Sequence, residues 1–364
     1  MLASESSVIL NLSEIACEVD YFPLQTSEES LVNYINRLYF SDSLISVPAK
    51  NEIVCFNFSG RYKYKLNHMG RGPGEYSSFY IYTTDINSDG DLLSMLNYGK
   101  ILFYKKSENK FEFDKNLSFI LAKNNIPSNF AFTPEQKSIL ISFYPRGIEQ
   151  YRSIILNING DTLNRRPNYY HFKVNENVEI GGPFVNILYK YNKTLYFKEL
   201  FSDTVFAIDQ KNTIVPYLIL DSDGKHITPA ILANRTYKNK DDINDCLWVY
   251  NIMEVSRYLF FLVKFDGNSY YEVYDKTVNT KFRIADNNYL IDDISGGVNF
   301  QPKDCSGEKF YSWVEALELK NYVSSNLFKN SVVKNPEKKK ALKELADSLK
   351  ETDNPVLIVV TPKK

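Results

Sequence analysis

The chain has 364 residues, of which 44% are hydrophobic and 15% aromatic, enough for a large core. Its 43 lysines and arginines nearly balance 44 aspartates and glutamates, so the totals supply no basic face for nucleic acid. No apolar run approaches the roughly 18 to 20 residues of a membrane helix. The polar start does not resemble a signal peptide, which leaves a cytoplasmic protein or one whose leader has been removed.

The four cysteines are far apart and include no C-x-x-C pair, so no zinc site is predicted: Cys17, Cys55, Cys246 and Cys305. We expect buried free thiols that act as small apolar side chains. A disulfide between Cys17 and Cys305 is the alternative if the two ends of the chain meet. The histidines, His68, His171 and His226, have no metal-binding spacing and are predicted as surface or hydrogen-bonded residues.

An early strand over residues 15–24 is followed by five predicted β-hairpins. Glycines at polar turns such as Ser59-Gly60 and Asn159-Gly160 support them, because glycine adopts the positive φ of tight hairpins. The turns recur about every 50 residues, with a longer last step. The hairpins cover residues 54–66, 101–113, 154–163, 205–218 and 270–284.

Aromatic residues near the starts of further strands form a second series with the same period: Tyr39, Phe79, Phe130, Phe184, Trp248 and Phe300. Two interleaved series indicate one repeated unit, and four strands with turns fill about 50 residues, the size of a propeller blade. Six anchors therefore predict an all-β, six-bladed β-propeller as one domain over residues 1–364. Stacked solenoid repeats are the rival, but they usually have shorter periods or helices in every unit.

A glycine-rich run at residues 70–76 follows the first hairpin. It does not fit a dinucleotide-binding loop, because Glu75 replaces the last glycine and Pro73 removes a backbone donor. One interpretation is a stiff crossover between blades. The other is a ligand site, in which Arg71, Glu75 and Tyr76 at the mouth of the central channel bind a sugar or a peptide end.

Residues 85–91 resemble the first half of a calcium loop, with oxygen side chains at positions 1, 3 and 5 and Gly90 at position 6. The twelfth position is Leu96 instead of a bidentate glutamate, and a polar hairpin turn explains the same residues. We therefore predict no cofactor and no metal ligands, with calcium at this loop as the open alternative. No catalytic residues are assigned.

The last third of the chain contains a long polar insertion and a helix. Residues 221–245 interrupt the repeat, with a short helix predicted over residues 229–237 and a place on one face of the propeller. Asn335 and Pro336 begin a helix to about residue 350, whose apolar stripe is Ala341, Leu342, Leu345, Ala346 and Leu349. A closing strand at about 355–361 should be buried on both faces and pair with residues 15–24.

The run at residues 70–76, the pattern at 19–24 and the ending at 353–357 resemble a family of six-bladed propellers. This is the group of NHL/TolB-like envelope lipoproteins of gut-dwelling Gram-negative bacteria. The resemblance implies an exported protein in the periplasm or on the outer membrane, tethered by a lipidated cysteine upstream of this chain. The wider group includes binding proteins, lyases and lactonases.

These features favour a non-catalytic binding or scaffold propeller of the cell envelope. Its partner would be a glycan, a peptide or another protein, with neither nucleic acid nor a transmembrane segment involved. The alternative is a lyase or lactonase-type enzyme with its active site in the central channel.

Overall fold

The computed structural model describes residues 7–77, 84–97, 99–108, 110–118, 125–134, 138–173, 185–234, 245–284 and 289–364. Its strands form six sheets, so the predicted six-bladed β-propeller is confirmed. Two strands and a helix precede the first complete blade: β1 (Ser7–Val8), α1 (Leu12–Ile15) and β2 (Ala16–Pro23). That the whole chain is one domain stays a prediction.

Blades 1 to 3 each contain four consecutive strands in simple up-and-down order. Blade 1 has β3 (Tyr39–Phe40), β4 (Ile45–Ala49), β5 (Glu52–Phe56) and β6 (Tyr62–Leu66). Blade 2 has β7 (Thr84–Ile86), β8 (Leu92–Asn97), β9 (Lys100–Ser107) and β10 (Lys110–Ser118). Blade 3 has β11 (Pro127–Phe132), β12 (Ser138–Phe143), β13 (Tyr151–Asn157) and β14 (Thr162–Pro167).

Blades 4 and 5 repeat this order. Blade 4 has β15 (Asn186–Tyr191), β16 (Thr194–Glu199), β17 (Thr204–Ile208) and β18 (Ile214–Ile219), followed by helix α2 (Pro229–Asn234). Blade 5 has β19 (Trp248–Glu254), β20 (Tyr258–Phe265), β21 (Asn268–Asp275) and β22 (Thr280–Ile284). The short β1 adds a fifth, parallel strand at the edge of β22, which the sequence analysis did not predict.

Blade 6 combines the two ends of the chain. It contains β23 (Asp304–Ser306), β24 (Lys309–Val314) and β25 (Val356–Pro362), and β2 pairs antiparallel with β25 as the outermost strand. Residues 356–360 of β25 are all buried. The predicted closing strand and its pairing with the early strand are both confirmed. Because β2 pairs with β25, the edge of β25 is not left without a hydrogen-bonded partner.

Three helices are inserted between β24 and β25, which explains why the sequence shows five hairpins and not six: α3 (Ala316–Ser324), α4 (Asn326–Asn330) and α5 (Pro336–Ser348). The predicted helix is α5, and the Asn335 side chain accepts from the Lys338 N–H at 3.1 Å. Helices α3 and α4 were missed, because α3 is short and its N-cap, Glu315, makes no side-chain capping bond.

The first strands of successive blades contact one another and surround the central channel. Neighbouring strands of a blade are antiparallel, so the segments entering the first strands lie at one end of this channel. The connections between second and third strands lie at the same end. We call it the crossover face. It carries residues 70–76, the insertion at 221–245 and helices α3 to α5. The part of that insertion at 235–244 lies outside the described residues.

Candidate ligand site in the central channel

A cavity of about 380 Å³ occupies the centre of the propeller. This is within the usual size range of small-ligand pockets, which begins at about 300 Å³. The innermost strand of every blade contributes to its wall, through residues that include Tyr39, Asp85, Asn129, Tyr189, Asn251 and Asp304. The channel is therefore a candidate ligand site to which all six blades contribute.

Four of these wall residues are Asp or Asn with one shared conformation: Asp85, Asn129, Asn251 and Asp304. In each, the side-chain Oδ1 accepts a hydrogen bond of 2.9 Å from the backbone N–H of the next residue. This short local bond turns each side chain along its own strand and fixes its rotamer. The four residues thus repeat one structural device on blades 2, 3, 5 and 6.

The second polar atom of each of these side chains bonds to the backbone of the next blade, at 2.8 to 3.4 Å. The two carboxylates accept from N–H groups and the two amides donate to carbonyls. Asp85 accepts from the Phe132 N–H and Asp304 from the Leu38 N–H. Asn129 donates to the Asn186 carbonyl and Asn251 to the Lys303 carbonyl. The ring of Asp and Asn side chains therefore ties blade to blade around the channel and holds its wall in place.

Sequence reasoning missed this ring, although a signal was present. Each member lies in or close to a stretch that contains an aromatic anchor: Phe79, Phe130, Trp248 and Phe300. Blades 1 and 4 depart from the pattern, which hides the repeat. In blade 4, Asn186 instead donates to Ser128 Oγ at 2.8 Å and to the Phe143 carbonyl at 2.9 Å.

One ion pair crosses part of the channel. Lys190 Nζ, from blade 4, lies 2.6 Å from Asp85 Oδ2, from blade 2. The lysine side chain is 31% exposed and the aspartate 7%. The ammonium and the carboxylate compensate each other, so neither offers a free charge to a ligand.

Asp304 is a wall residue whose pKa lies closer to neutral pH than that of an ordinary aspartate. Burial raises the pKa of its carboxyl from the usual 3.8 to about 6, although the nearby Arg37 guanidinium and two backbone N–H groups act in the opposite direction. Burial dominates because the carboxylate loses its hydration while its hydrogen bonds from Cys305 and Leu38 replace only part of it. The channel therefore contains an acid that exchanges its proton near neutral pH.

Asp304 should make stability depend on pH. Its folded pKa lies above the unfolded value, so the folded protein takes up the proton first as the pH falls. The wild-type protein should therefore gain about 1 kcal/mol of unfolding free energy between pH 7 and pH 5, relative to Asp304→Asn. Urea denaturation at both pH values measures this difference. Asp266→Asn, at an exposed turn, is the matched control, and an equal pH response of wild type and Asp304→Asn would refute the raised pKa.

Aromatic rings continue from the crossover face into the cavity. Trp248 and Tyr250 are stacked at the start of β19, with ring centroids 5.0 Å apart and planes at 16°. Tyr250 lines the cavity, whereas Trp248 contacts the apolar cluster beside it on the crossover face. The pair gives the channel an apolar, half-buried surface next to its polar wall.

The structure places Arg71, Glu75 and Tyr76 in the crossover between blades 1 and 2, outside the lining of the channel cavity. Tyr76 is fully buried and donates to the Asn51 carbonyl at 2.6 Å. Glu75 Oε2 accepts from the Gly72 N–H at 2.7 Å, and Arg71 is exposed. Two of the three side chains thus have structural partners, and a ligand-binding role for the three stays a prediction.

Residues 85–91, which resemble the first half of a calcium loop, form the end of β7 and the turn between β7 and β8. Asp85 points to Lys190 and Phe132, while Asn87 Oδ1 accepts from the N–H groups of Asp91 and Leu92, each at 3.0 Å. These two oxygens thus have partners in different directions. Over the described part of the chain, no three His, Cys, Asp or Glu side chains gather as a metal-binding group.

The histidines and cysteines considered in the sequence analysis lie apart from one another in the structure. His68 Nε2 lies 3.2 Å from the Phe111 carbonyl, and His226 Nδ1 lies 3.2 Å from Asp203 Oδ2. None of the four cysteines forms a disulfide; Cys55 and Cys246 are buried, whereas Cys17 is exposed. The disulfide between Cys17 and Cys305 is absent from the structure.

Solved structures support the architecture. A predicted exported protein from Bacteroides fragilis NCTC 9343 is 18% identical over 98% of both chains, with a TM-score of 0.73. A DUF4221 family member from Bacteroides vulgatus ATCC 8482 is 12% identical over 96% of this chain and 97% of that chain, with a TM-score of 0.54. At these identities the similarity shows the fold alone.

A virginiamycin B lyase from Staphylococcus aureus is 13% identical over 81% of this chain and 94% of its own, but its TM-score of 0.41 supports no argument about a reaction. None of the curated proteins compared with the sequence matches it. Among the described residues, no helix is both long and apolar enough to span a membrane. A family model for a domain of unknown function, DUF4934, matches residues 2–361, and the chain belongs to this family.

Proposed function

We propose that the protein is an exported propeller of the cell envelope that binds a small, neutral, polar ligand in its central channel without transforming it. The ligand is a glycan unit, a short peptide or an extended segment of a partner protein. The exported description of the Bacteroides fragilis relative supports the location. Anchoring through an upstream lipidated cysteine belongs to the same proposal.

The observation that carries the proposal is the combination of paired charges and unused amides in the cavity wall. Lys190 is neutralised by Asp85, and Arg37 lies close enough to Asp304 to lower the pKa of its carboxyl. A strongly charged ligand would therefore find no free counter-charge in these pairs, and Lys303, which also lines the cavity, donates to the Trp313 carbonyl at 3.3 Å. Two other lining residues, Asn36 and Gln301, make no side-chain hydrogen bond among the described residues.

Those two amides and the Tyr250 ring together suit a ligand with hydroxyl or peptide groups and some apolar surface. An amide side chain both donates and accepts, as a sugar hydroxyl or a peptide unit requires. The ring covers the apolar part of the ligand. The ring of Asp and Asn side chains already fixes the wall. Binding would therefore cost little conformational entropy of the protein.

A thermal-shift screen against neutral oligosaccharides and short uncharged peptides tests the proposal. A ligand at about 100 times its Kd should add about 2.7 kcal/mol, which corresponds to roughly 2 to 4 °C for a chain of this size. Tyr250→Ala should remove the part of the shift that comes from binding in the channel, and Asn36→Ala with Gln301→Ala should reduce that part. Gln210→Ala, at an exposed hairpin turn, is the matched control. A shift that Tyr250→Ala leaves unchanged in size would contradict binding in the channel.

Asp304 favours a second candidate, a lyase or lactonase-type enzyme acting in the channel. A carboxyl with a pKa of about 6 in a cavity wall has the acidity expected of a general acid or base. Lactone hydrolysis and β-elimination assays, with and without divalent cations, separate the two functions. Turnover that Asp304→Asn removes would favour the enzyme, whereas ligand binding without turnover favours the binding protein.

A further inference from the structure

A second cavity, of about 340 Å³, lies on the crossover face over blade 1. Three segments form it: the crossover from β2 to β3, the turn between β4 and β5, and the start of the crossover from β6 to β7. Its lining includes Leu31, Asn33, Tyr34, Lys50, Asn51 and Asn67. It shares no lining residue with the channel cavity, so it is a separate site.

The pocket combines an exposed aromatic ring with uncommitted amides. Tyr34 is 56% exposed and Leu31 48%, so both side chains present apolar surface beside the cavity. The side chains of Asn33 and Asn51 make no hydrogen bond among the described residues. Asn67 donates to Glu52 Oε2 at 3.0 Å, which leaves its own side-chain oxygen free to accept.

Buried polar side chains form hydrogen bonds to the backbone around this pocket. The fully buried Tyr76 donates to the Asn51 carbonyl at 2.6 Å and so supports the turn between β4 and β5. Asn354, also buried, accepts from the Val32 N–H at 2.7 Å and donates to the Ser30 carbonyl at 2.7 Å. The turn between β4 and β5 and the crossover from β2 to β3 are therefore fixed before any ligand arrives.

The charges beside the pocket disfavour anions. Glu28 and Glu52 both line it, and Lys50 is the one cation of the lining. Glu52 also lies within 3.6 Å of Lys65, which in turn lies 3.3 Å from Glu29. A phosphate or a uronate would meet two carboxylates, whereas hydroxyl groups can donate to those carboxylates and exchange hydrogen bonds with the amides.

We propose that this pocket binds a neutral sugar unit of a glycan. The apolar face of the sugar would cover the ring of Tyr34, and its hydroxyls would bond to the amides of Asn33 and Asn51. This site goes beyond the channel ligand of the proposed function and does not depend on it. The crossover that carries Asn33 and Tyr34 continues into Asn36 and Arg37 of the channel wall.

Saturation-transfer NMR and calorimetric titration with maltose, cellobiose, lactose and mannobiose test the proposal on the whole chain. At least one of these sugars should bind, and Tyr34→Ala should weaken its binding about tenfold, whereas Tyr34→Phe should stay close to wild type. Because Tyr34 is largely exposed, the melting temperature should not change. Tyr169→Ala, another exposed tyrosine away from the pocket, is the matched control and should bind normally.

The channel variant Tyr250→Ala keeps this site distinguishable from the proposed function, because it should leave sugar binding at Tyr34 intact. Absence of binding to all four sugars would overturn the proposal. So would binding that Tyr34→Ala does not weaken, or a preference for sulfated sugars or uncharged peptides over the neutral disaccharides.

Discussion

Replacing Arg152 with alanine is expected to lower the free energy of unfolding by about 3 to 5 kcal/mol, because it leaves a buried carboxylate without its partner. Arg152 Nη1 donates to Glu149 Oε1 at 2.8 Å, and neither side chain has any exposed surface. The guanidinium also lies 3.5 Å from Asn186 Oδ1, at the start of the innermost strand of blade 4. The substitution would therefore remove charge compensation from the interior between blades 3 and 4.

A neighbouring acid makes the same site more sensitive. Glu199 is 2% exposed, with Oε1 at 3.8 Å from Arg152 Nε and 3.1 Å from Arg166 Nε. Arg166 would continue to compensate Glu199 after the substitution, but Glu149 has no second cation within the distance of an ion pair among the described residues. The larger part of the loss should thus come from Glu149.

Urea denaturation of Arg152→Ala against wild type measures this loss. Arg61→Ala, an exposed arginine on a hairpin turn, is the matched control and should cost under about 0.5 kcal/mol. Removing both charges with Arg152→Met and Glu149→Gln should cost less than Arg152→Ala alone, since no charge is then stranded. A loss below about 1 kcal/mol for Arg152→Ala would show that Glu149 is compensated in another way.

The sequence predicts the architecture because the hairpins are local. Ser59-Gly60 and Asn159-Gly160 lie at turns where both glycines have positive φ, at 77° and 100°. Such turns depend on a few neighbouring residues, and their period reports the blade. Closure of the ring was also predictable, because an all-apolar strand after the C-terminal helix needs a partner on each side. The strand that precedes the first hairpin was the available one.

The channel could not be predicted in the same way, because its wall depends on contacts between blades. Asn129 and Asn251 are ordinary polar residues in the sequence, and only the fold brings their amides to the carbonyls of Asn186 and Lys303. The candidate ligand site was predicted at the glycine-rich run of residues 70–76 instead, because this run is more distinctive in the sequence. In the structure Gly74 has a φ of 78° and lies against the ring of Phe113, which explains a glycine there without any ligand.

Deleting residues 1–24 is expected to abolish the folded monomer. The deletion removes β2, which pairs with β25 from Ala16 opposite Pro362 to Pro23 opposite Val356. Val19 and Val360, both buried, face each other at the middle of this pairing. Without β2, the buried strand β25 would become an exposed, apolar blade edge, which is a template for aggregation.

Size-exclusion chromatography with light scattering, together with circular dichroism, measures the outcome. The truncated chain should elute as aggregates or lose its cooperative thermal transition. Deleting residues 1–8 is the matched control: it removes the two-residue β1 but keeps β2, so the monomer and most of its stability should persist. A synthetic peptide of residues 11–24 supplied during refolding should restore monomeric protein, because its strand can add to the free edge of β25. If the chain lacking residues 1–24 instead remains monomeric with an unchanged melting temperature, blade 6 is stable as three strands and closure by β2 contributes little to the fold.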